Sequence, residues 1–272
     1  MTAALPPLGT QRILAHVQDG IGWIIFNQPE RRNAMSLDMW TGLGIAAEAF
    51  DNDAAVRAVV LRGAGGKAFV SGADISEFET HRANATQKKA YDEVAARGHV
   101  GLARLAKPLI AMIEGYCVGG GLAIALAADI RFATAGSRFA IPAARLGLGY
   151  DYRGLSALAR LVGPSVAKDI LFSARFIEPD EALRIGLVNF VTDAAKIEDQ
   201  VRAYAARIAA NAPLTVHAAK AAMRMFEHYS DGADAQQTAR VAALVAHCFD
   251  SDDYKEGRRA FMEKRTPRFK GV

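Results

Sequence analysis

The sequence has few cysteines, no long hydrophobic run and little excess charge. Its two cysteines, Cys117 and Cys248, are too few for a disulfide framework and form no metal-binding cluster. No apolar run reaches the roughly 18 residues that indicate a membrane span, and the N-terminus lacks the pattern of a signal peptide. The formal net charge of only +4 does not require a nucleic-acid partner. We therefore expect a cytoplasmic protein with neither membrane nor nucleic acid among its partners.

Motifs that identify several enzyme classes are absent as well. No G-x-S-x-G elbow supports a serine hydrolase, and no G-x-G-x-x-G follows a strand as in nicotinamide-dependent dehydrogenases. The glycine loop Gly63–Lys67 lacks the spacing and the hydroxyl of a phosphate-binding loop. The six histidines show no metal-like spacing, so no metal site is expected.

The order of predicted elements favours an α/β core followed by helices. With 51% hydrophobic residues, a chain of this length can bury a substantial core. Asp19-Gly20 between two strand-like runs indicates a β-hairpin. The predicted strands are Ile13–Val17, Gly22–Phe26, Val56–Leu61, a short one from Ala68, Leu109–Ile113, Asp129–Ala133, Arg138–Ile141 and Leu187–Val191.

The predicted helices carry start and stop signals. Ser36 is placed to be the N-cap of a helix that runs to about Phe50, and Lys107-Pro108 ends an amphipathic helix that begins at Ala83. Residues 142–154 are expected to form a loop. Further helices are predicted at 154–162, 165–173 and 179–185, and throughout the chain after Ala194, with breaks at Pro213 and at Asp231-Gly232.

The stretch from Pro108 to Arg131 is central to the functional interpretation. It is predicted to contain a strand, a turn at Gly119-Gly120-Gly121, and a helix that ends near Ala128. Three successive glycines permit positive φ and close approach of a ligand or another backbone. N–H groups at such a helix start can stabilise developing negative charge on an oxygen. A tight turn packed in a core fits the same pattern.

Four motifs, in this order, resemble those of the enoyl-CoA hydratase/isomerase (crotonase) superfamily over nearly the whole chain. They are the runs 27–35, 68–75, 107–121 and 261–265. The resemblance implies an α/β fold, a crotonase-like spiral of ββα units over residues 1–195. It also implies a C-terminal helical region, 196–272, that completes the CoA site and builds a homotrimer, often paired into a hexamer. The implied substrate is an acyl-CoA thioester that reacts through an enolate, and no separate cofactor is expected because coenzyme A is part of the substrate.

The resemblance also implies which residues form the site. Two backbone N–H groups form an oxyanion hole in this family, and by position they fall on Ser71 and Gly120. Positive charge on two arginines and a C-terminal lysine would suit the phosphates of CoA, although solvated surface charge is the alternative. Asp74 could equally be only a helix N-cap. The CoA contacts carried over by position are Arg31, Arg32, Ala34, Gly72, Ala73, Asp74, Ile75, Phe261, Phe269 and Lys270.

The sequence departs from a hydratase at the two glutamates that activate water in that class. Alanines, Ala123 and Ala143, stand at the corresponding positions, so the usual general acid and base are missing. Asp151 aligns roughly with the working aspartate of dienoyl-CoA isomerases and aryl-CoA dehalogenases. Its carboxylate could transfer a proton or attack as a nucleophile, or form a salt bridge with Arg145 or Arg153.

Two neighbouring features are weaker candidates. Tyr150 and Tyr152 could line the acyl pocket or donate a hydrogen bond, and packing is the alternative. Glu114, in the strand before Gly115, could take part in catalysis or could tie down neighbouring backbone.

These features predict an enzyme that hydrates an enoyl-CoA thioester or moves its double bond. Hydration would make it a hydro-lyase, and double-bond movement an isomerase. The alternative is a non-catalytic acyl-CoA-binding member that has lost its glutamates. RNA binding, known for some relatives, would require a dense lysine-rich helix face, which the sequence does not show.

Overall fold

The computed structural model describes residues 5–77, 85–146, 152–228 and 235–272. The strands in these ranges are β1 (Ile13–Gln18), β2 (Ile21–Phe26), β3 (Ala58–Gly63), β4 (Ala68–Val70), β5 (Leu109–Ile113), β6 (Tyr116–Val118), β7 (Ile130–Thr134), β8 (Arg138–Ala140) and β9 (Phe190–Thr192). The helices there are α1 (Leu37–Asn52), α2 (Ala85–Arg104), α3 (Gly120–Leu126), α4 (Tyr152–Val162), α5 (Pro164–Ser173), α6 (Pro179–Arg184), α7 (Ile197–Ala209), α8 (Pro213–His228), α9 (Ala235–Asp250) and α10 (Asp252–Glu263). Short 3-10 turns cover Pro29–Arg31, Ile75–Glu77 and Pro142–Leu146.

The strands form two sheets. The larger has the order β1-β2-β3-β5-β7-β9, and the smaller has the order β4-β6-β8. β1 and β2 are antiparallel and all other pairs are parallel. Asp19 and Gly20 have φ values of 53° and 76°, which are the two positive angles that a two-residue hairpin turn requires. The predicted hairpin is therefore present.

The chain alternates between the two sheets as it advances. Each of β3, β5 and β7 in the larger sheet is followed by β4, β6 or β8 in the smaller one, and a helix then returns to the larger sheet. This confirms the predicted spiral of ββα units. No helix in the described ranges is both long and apolar enough to span a membrane.

Three local assignments differ from the sequence-based expectation. β6 has no counterpart among the predicted strands, because its three residues lie between Gly115 and Gly119, which both have positive φ. The last strand is Phe190–Thr192, a few residues later than expected. Within the predicted loop 142–154, Pro142–Leu146 forms a 3-10 turn and α4 begins at Tyr152.

Ser36 occupies the N-cap position of α1, but its hydroxyl does not cap the helix. The hydroxyl donates instead to the carboxylate of Asp38. The first N–H of the helix, on Leu37, donates to Glu77 Oε2 over 3.0 Å. The cap therefore comes from the Ile75–Glu77 turn, which ties α1 to the segment that follows β4.

Both faces of the larger sheet are covered. The main core fills the space between the sheets and helices, and a second cluster lies where α7 packs on the outer face of the larger sheet. Because side chains alternate along a strand, coverage of both faces explains why β2 and β5 are apolar throughout. The second cluster consists of Ile21, Trp23, Ala58, Val60, Ile110, Met112, Phe132, Ile197, Val201 and Ala205.

A partly buried ion pair attaches α8 to this core. The ammonium of Lys220 lies 2.6 Å from Asp129 Oδ2 and donates over 2.7 Å to the carbonyl of Lys107. Asp129 Oδ2 also accepts from the N–H of Leu109 over 2.7 Å. The predicted break at Pro213 is present as the start of α8, whereas Asp231-Gly232 lies outside the described residues.

Candidate functional site

Two turns of the chain meet at the edge of the smaller sheet. β4 and β6 are parallel neighbours, with Ala68 opposite Tyr116 and Val70 opposite Cys117. Because parallel strands end at the same edge, the segments that follow them, 71–74 and 119–121, emerge side by side. Gly121 fits only as glycine, since a β-carbon there would lie 2.0 Å from the carbonyl oxygen of Val70.

An unpaired N–H group on Ala73 points into this junction. Met35 donates to the carbonyl of Gly72 over 2.8 Å, and the N–H of Asp74 donates to the carbonyl of Met35 over 2.9 Å. These two bonds use the groups on either side of Ala73, so its own N–H points away from Met35. Among the described residues it has no acceptor.

Gly120 places a second N–H group beside the first. A β-carbon on Gly120 would lie 4.0 Å from the nitrogen of Ala73 and 4.0 Å from the carbonyl carbon of Gly72. Gly120 is the first residue of α3, where N–H groups have no partner within the helix. No acceptor for it occurs in the part of the chain that the structure describes. Two donors are thus free to bind one oxygen.

The predicted first donor, Ser71, is already engaged. Its N–H donates to the carbonyl of Arg32 over 3.1 Å, and its hydroxyl donates to the carbonyl of Arg31 over 3.4 Å. An N–H committed to a backbone carbonyl is not free to bind an oxyanion, so this geometry conflicts with the role expected for Ser71. The free N–H lies two residues later, on Ala73.

Asp74 is the polar centre of the segment after β4. Its carboxylate accepts from Arg31 over 2.8 Å, from the N–H of Ser76 over 3.0 Å and from Gln28 Nε2 over 3.3 Å. Burial by itself raises the pKa of Asp74, but the hydrogen bonds from Ser76 and Arg31 outweigh it, so the pKa lies below its usual value. Asp74 is therefore the cap of the turn that Ile75 opens, and it remains ionised.

The two arginines of the loop before α1 lie next to this turn. Arg31 pairs with Asp74 and leaves its side chain half exposed. Arg32 has a left-handed backbone, with φ of 52°, and its guanidinium lies 5.0 Å from the centre of the Tyr116 ring. Ala34 is buried, and its carbonyl accepts from Gln28 over 3.1 Å. The loop thus presents positive charge beside Gly72 and Ala73.

The C-terminal candidates form a separate group. Phe269 packs near Gly257, and the N–H of Lys270 donates to Asp253 Oδ1 over 2.6 Å. Phe261, on α10, is 86% exposed. No hydrogen bond or ion pair between described residues links this group to Arg31 or Ala73 within one chain.

The expected acid–base positions contain no carboxylate. Ala123 lies half-buried in α3 and Ala143 is buried in the Pro142–Leu146 turn. Asp151 and Tyr150 lie outside the described residues. Tyr152 and Arg153 open α4.

Glu114 lies near a different set of charges. Burial raises the pKa of its carboxyl, the nearby Arg62 guanidinium opposes that increase, and Glu198 adds to it. Arg62 and Glu198 form an ion pair of 2.6 Å. These contacts associate Glu114 with α7 on the outer face of the larger sheet.

Trp40 lies next to Gly120 at the start of α3, a placement that sequence reasoning did not predict. Its indole carbon Cζ2 would lie 4.0 Å from a β-carbon on Gly120, although Trp40 is distant in sequence, on α1. Its side chain is buried and its Nε1 has no hydrogen-bond partner among the described residues. The sequence feature that could have drawn attention to Trp40 is the rarity of tryptophan, since the chain contains only two.

Comparison with known proteins agrees with this architecture. The family model described as Enoyl-CoA hydratase/isomerase matches residues 16–272. The chain is 35% identical to the short-chain-enoyl-CoA hydratase of Clostridium acetobutylicum, over 93% of this chain and 95% of that protein. It is 32% identical to the crotonyl-CoA hydratase of Syntrophomonas wolfei, over 95% and 98% respectively.

A solved structure shows the same likeness in three dimensions. The enoyl-CoA hydratase/carnithine racemase of Magnetospirillum magneticum superimposes with a TM-score of 0.89 at 37% identity, covering 97% of both chains. Sequence and fold agree over almost the whole length. The chain therefore belongs to the enoyl-CoA hydratase/isomerase (crotonase) family.

Proposed function

We propose that the chain binds an acyl-CoA thioester and stabilises its enolate with the N–H groups of Ala73 and Gly120. The observation that carries the proposal is the pair of unpaired donors on adjacent turns. A preorganised donor of this kind lowers the barrier by roughly 3 kcal/mol. Membership of the family supplies the substrate class.

The reaction we propose is hydration of an enoyl-CoA or movement of its double bond. In hydration, a water oxygen adds to the β-carbon and a proton is delivered to the α-carbon of the enolate. In isomerisation, a proton leaves one carbon of the acyl chain and returns to another. The hydratase names of the relatives favour the first reaction, and the alanines at 123 and 143 favour the second. Asp151 is our proposed proton carrier for either.

The CoA moiety is proposed to lie along the loop before α1. Arg31 and Arg32 would face its phosphates, where a guanidinium binds oxygen pairs well. The C-terminal residues Phe261, Phe269 and Lys270 would complete the site. Because no hydrogen bond or ion pair among the described residues links them to the arginine loop, we assign them to the site of a neighbouring subunit.

Assembly into a trimer or a hexamer forms part of the same proposal. Phe226, Phe261 and Met262 are 78%, 86% and 80% exposed in the single chain. Large apolar side chains this exposed favour burial against a partner. On this view residues 1–195 form the catalytic core and residues 196–272 the assembly region, in a cytoplasmic enzyme.

The test is turnover of two thioesters by the purified protein and by Asp151→Asn. Crotonyl-CoA reports hydration through loss of its enoyl absorbance, and a 3-enoyl-CoA reports isomerisation through its gain. Activity on either substrate that falls in the variant supports the assignment. Thioester binding without turnover of either substrate would favour the non-catalytic alternative, and unchanged activity in the variant would remove Asp151 from the mechanism.

A further inference from the structure

A buried glutamine starts a chain of hydrogen bonds that ends at the proposed oxyanion site. Gln28 is 1% exposed, and its Nε2 donates to the carbonyl of Ala34 over 3.1 Å and to Asp74 Oδ2 over 3.3 Å. Glutamine is mostly found at protein surfaces, and a buried amide is costly unless its polar groups are paired. A carbonyl and an ionised carboxylate only accept hydrogen bonds, so the two contacts fix which end of the amide carries the donors.

Two peptide groups continue this chain from Gln28 to Ala73. The carbonyl of Ala34 and the N–H of Met35 belong to one peptide group, and that N–H donates to the carbonyl of Gly72 over 2.8 Å. The carbonyl of Gly72 and the N–H of Ala73 belong to the next peptide group. Because C=O and N–H point in opposite directions in a planar trans peptide, the donors are aligned head to tail. The Ala73 N–H is therefore the last donor of a chain that begins at the Gln28 amide.

Gly72 cannot fix the direction of this last N–H by itself. Its φ is 121°, a conformation that glycine adopts because it has no side chain to restrict it. Hydrogen bonds from outside the segment therefore hold the peptide group between Gly72 and Ala73. They come from Met35, whose carbonyl also accepts from the N–H of Asp74 over 2.9 Å, and Gln28 contacts the Asp74 side chain as well.

The backbone of Gln28 is anchored to the smaller sheet. Its N–H donates to Asn33 Oδ1 over 2.9 Å, and its carbonyl accepts from the N–H of Asn33 over 2.9 Å. Asn33 Nδ2 in turn donates over 2.8 Å to the carbonyl of Ala68, the first residue of β4. The Gln28 amide is thus held in place relative to the strand that leads to Ala73.

We infer that Gln28 is a positioning residue that directs and polarises the Ala73 N–H toward the enolate oxygen. This inference rests on the proposed function. Hydrogen bonds in an aligned chain strengthen one another by about 10–30% per bond. The enolate oxygen carries more negative charge than the thioester carbonyl, so the chain acts more strongly in the transition state than in the ground state. Loss of the Gln28 donors should therefore lower kcat more than it weakens thioester binding.

Turnover and affinity measured together test the inference. Gln28→Met keeps an unbranched side chain of similar length and removes both donors. We expect kcat for the enoyl-CoA substrate to fall about 10- to 100-fold, up to the loss of a whole donor. The Kd of butanoyl-CoA, a saturated thioester that cannot be hydrated, should stay within a few-fold of the parent. A role in stability alone would leave kcat of the folded variant unchanged.

A neighbouring amide provides the control. Asn27 Nδ2 donates to the carbonyl of Gln11 over 3.1 Å, so Asn27→Leu removes a side-chain amide from the adjacent position without touching the chain that begins at Gln28. We expect Asn27→Leu to keep the kcat and the butanoyl-CoA affinity of the parent.

A vibrational spectrum reports on the oxyanion site without turnover. Butanoyl-CoA labelled with ¹³C at the thioester carbonyl should show a lower C=O stretching frequency when bound to the parent than when free, because two donors polarise the bond. The bound frequency should move back toward the free value in Gln28→Met and stay unchanged in Asn27→Leu. In parent protein labelled with ¹⁵N-glutamine, butanoyl-CoA should move downfield the slowly exchanging Nε2 proton of Gln28, the buried glutamine among the described residues.

The outcomes separate the inference from the proposed function. A parent-like kcat in Gln28→Met, a fall in kcat matched by an equal loss of butanoyl-CoA affinity, or a C=O frequency equal to that in the parent would overturn the inference alone. If Gln28→Met does not fold, an unmoved Gln28 signal in the parent overturns it. Failure of butanoyl-CoA to bind the parent, or a bound C=O frequency equal to the free value, would overturn the proposed function and the inference together.

Discussion

The nitrogen of Ala73 lies 4.0 Å from the place where a β-carbon on Gly120 would stand. The relationship depends on two parallel strands, β4 and β6, that end side by side, and on a bridge between Met35 and Ala73 that turns the Ala73 N–H outward. Two backbone donors are thereby held by the fold itself.

Gly121 should be intolerant of any side chain. A β-carbon there would lie 2.0 Å from the Val70 carbonyl, which is backbone and cannot move aside. We expect Gly121→Ala to lower the free energy of unfolding in urea by about 3 kcal/mol or more, or to prevent folding. Gly120→Ala is the control and should cost less than about 1 kcal/mol, because its β-carbon has clearance of 4.0 Å. Equal losses would contradict the packing described at α3.

Asp74 should contribute stability that disappears in acid. Its pKa is depressed in the folded chain, where hydrogen bonds from Ser76 and Arg31 outweigh the effect of burial. Because the pKa of Asp74 is lower in the folded chain, its ionised carboxylate stabilises the fold at pH values above the unfolded pKa of about 3.9. This stabilisation is lost as the pH falls through the pKa of the folded chain. Unfolding free energies measured from about pH 6 to pH 3 should therefore fall more steeply in the parent than in Asp74→Asn. A curve for Asp74→Asn that runs parallel to that of the parent would refute the assignment.

Lys220 should be needed to hold α8 on the core. Its ammonium is buried against Asp129 and the Lys107 carbonyl, so Lys220→Met removes the ion pair and hydrogen bond to Asp129 and leaves Arg131 and Arg224 as its remaining nearby positive charges. Removing one partner of a buried pair costs about 3–5 kcal/mol, and the partial exposure of Asp129 reduces this to about 2–3. Chemical denaturation measures the loss, with Lys196→Met, an exposed lysine, as the control. A loss no larger than that of the control would show that the pair is dispensable.

The exposed apolar side chains of the C-terminal helices should mediate assembly. Phe226→Glu places a charge where we expect a subunit contact, and sedimentation velocity should show smaller particles than the parent forms. Lys196→Glu changes charge at an exposed position before α7 and should leave the particle size unchanged. A monomeric parent protein would remove the assembly proposal.

Local chemistry was sufficient to predict much of the fold. Asp19-Gly20 identifies its hairpin because a two-residue turn with two positive φ angles has few compatible sequences. The long strands and helices follow from apolar periodicity. β6 was missed because three residues between glycines carry no periodic signal.

The parts of the site that depend on distant contacts could not be predicted. The resemblance assigned the first donor to Ser71 by position, whereas the free N–H on Ala73 follows from bonds made by Met35 and Arg32. The position of Trp40 beside Gly120 depends on how α1 packs on α2. Ser36 was placed correctly at the start of α1, but the side chain that caps the helix belongs to the distant Glu77.

The most direct test of the oxyanion site is the turnover number of Gly120→Pro compared with Gly120→Ala. Proline is well tolerated at the first residue of a helix and replaces the N–H in question by a ring carbon, so the donor is lost, whereas alanine retains it. We predict that kcat for the enoyl-CoA substrate falls roughly 100- to 1,000-fold in Gly120→Pro and stays within a few-fold of the parent in Gly120→Ala. A folded Gly120→Pro variant with the turnover of the parent would contradict the account, because the Gly120 N–H would then take no part in stabilising the enolate.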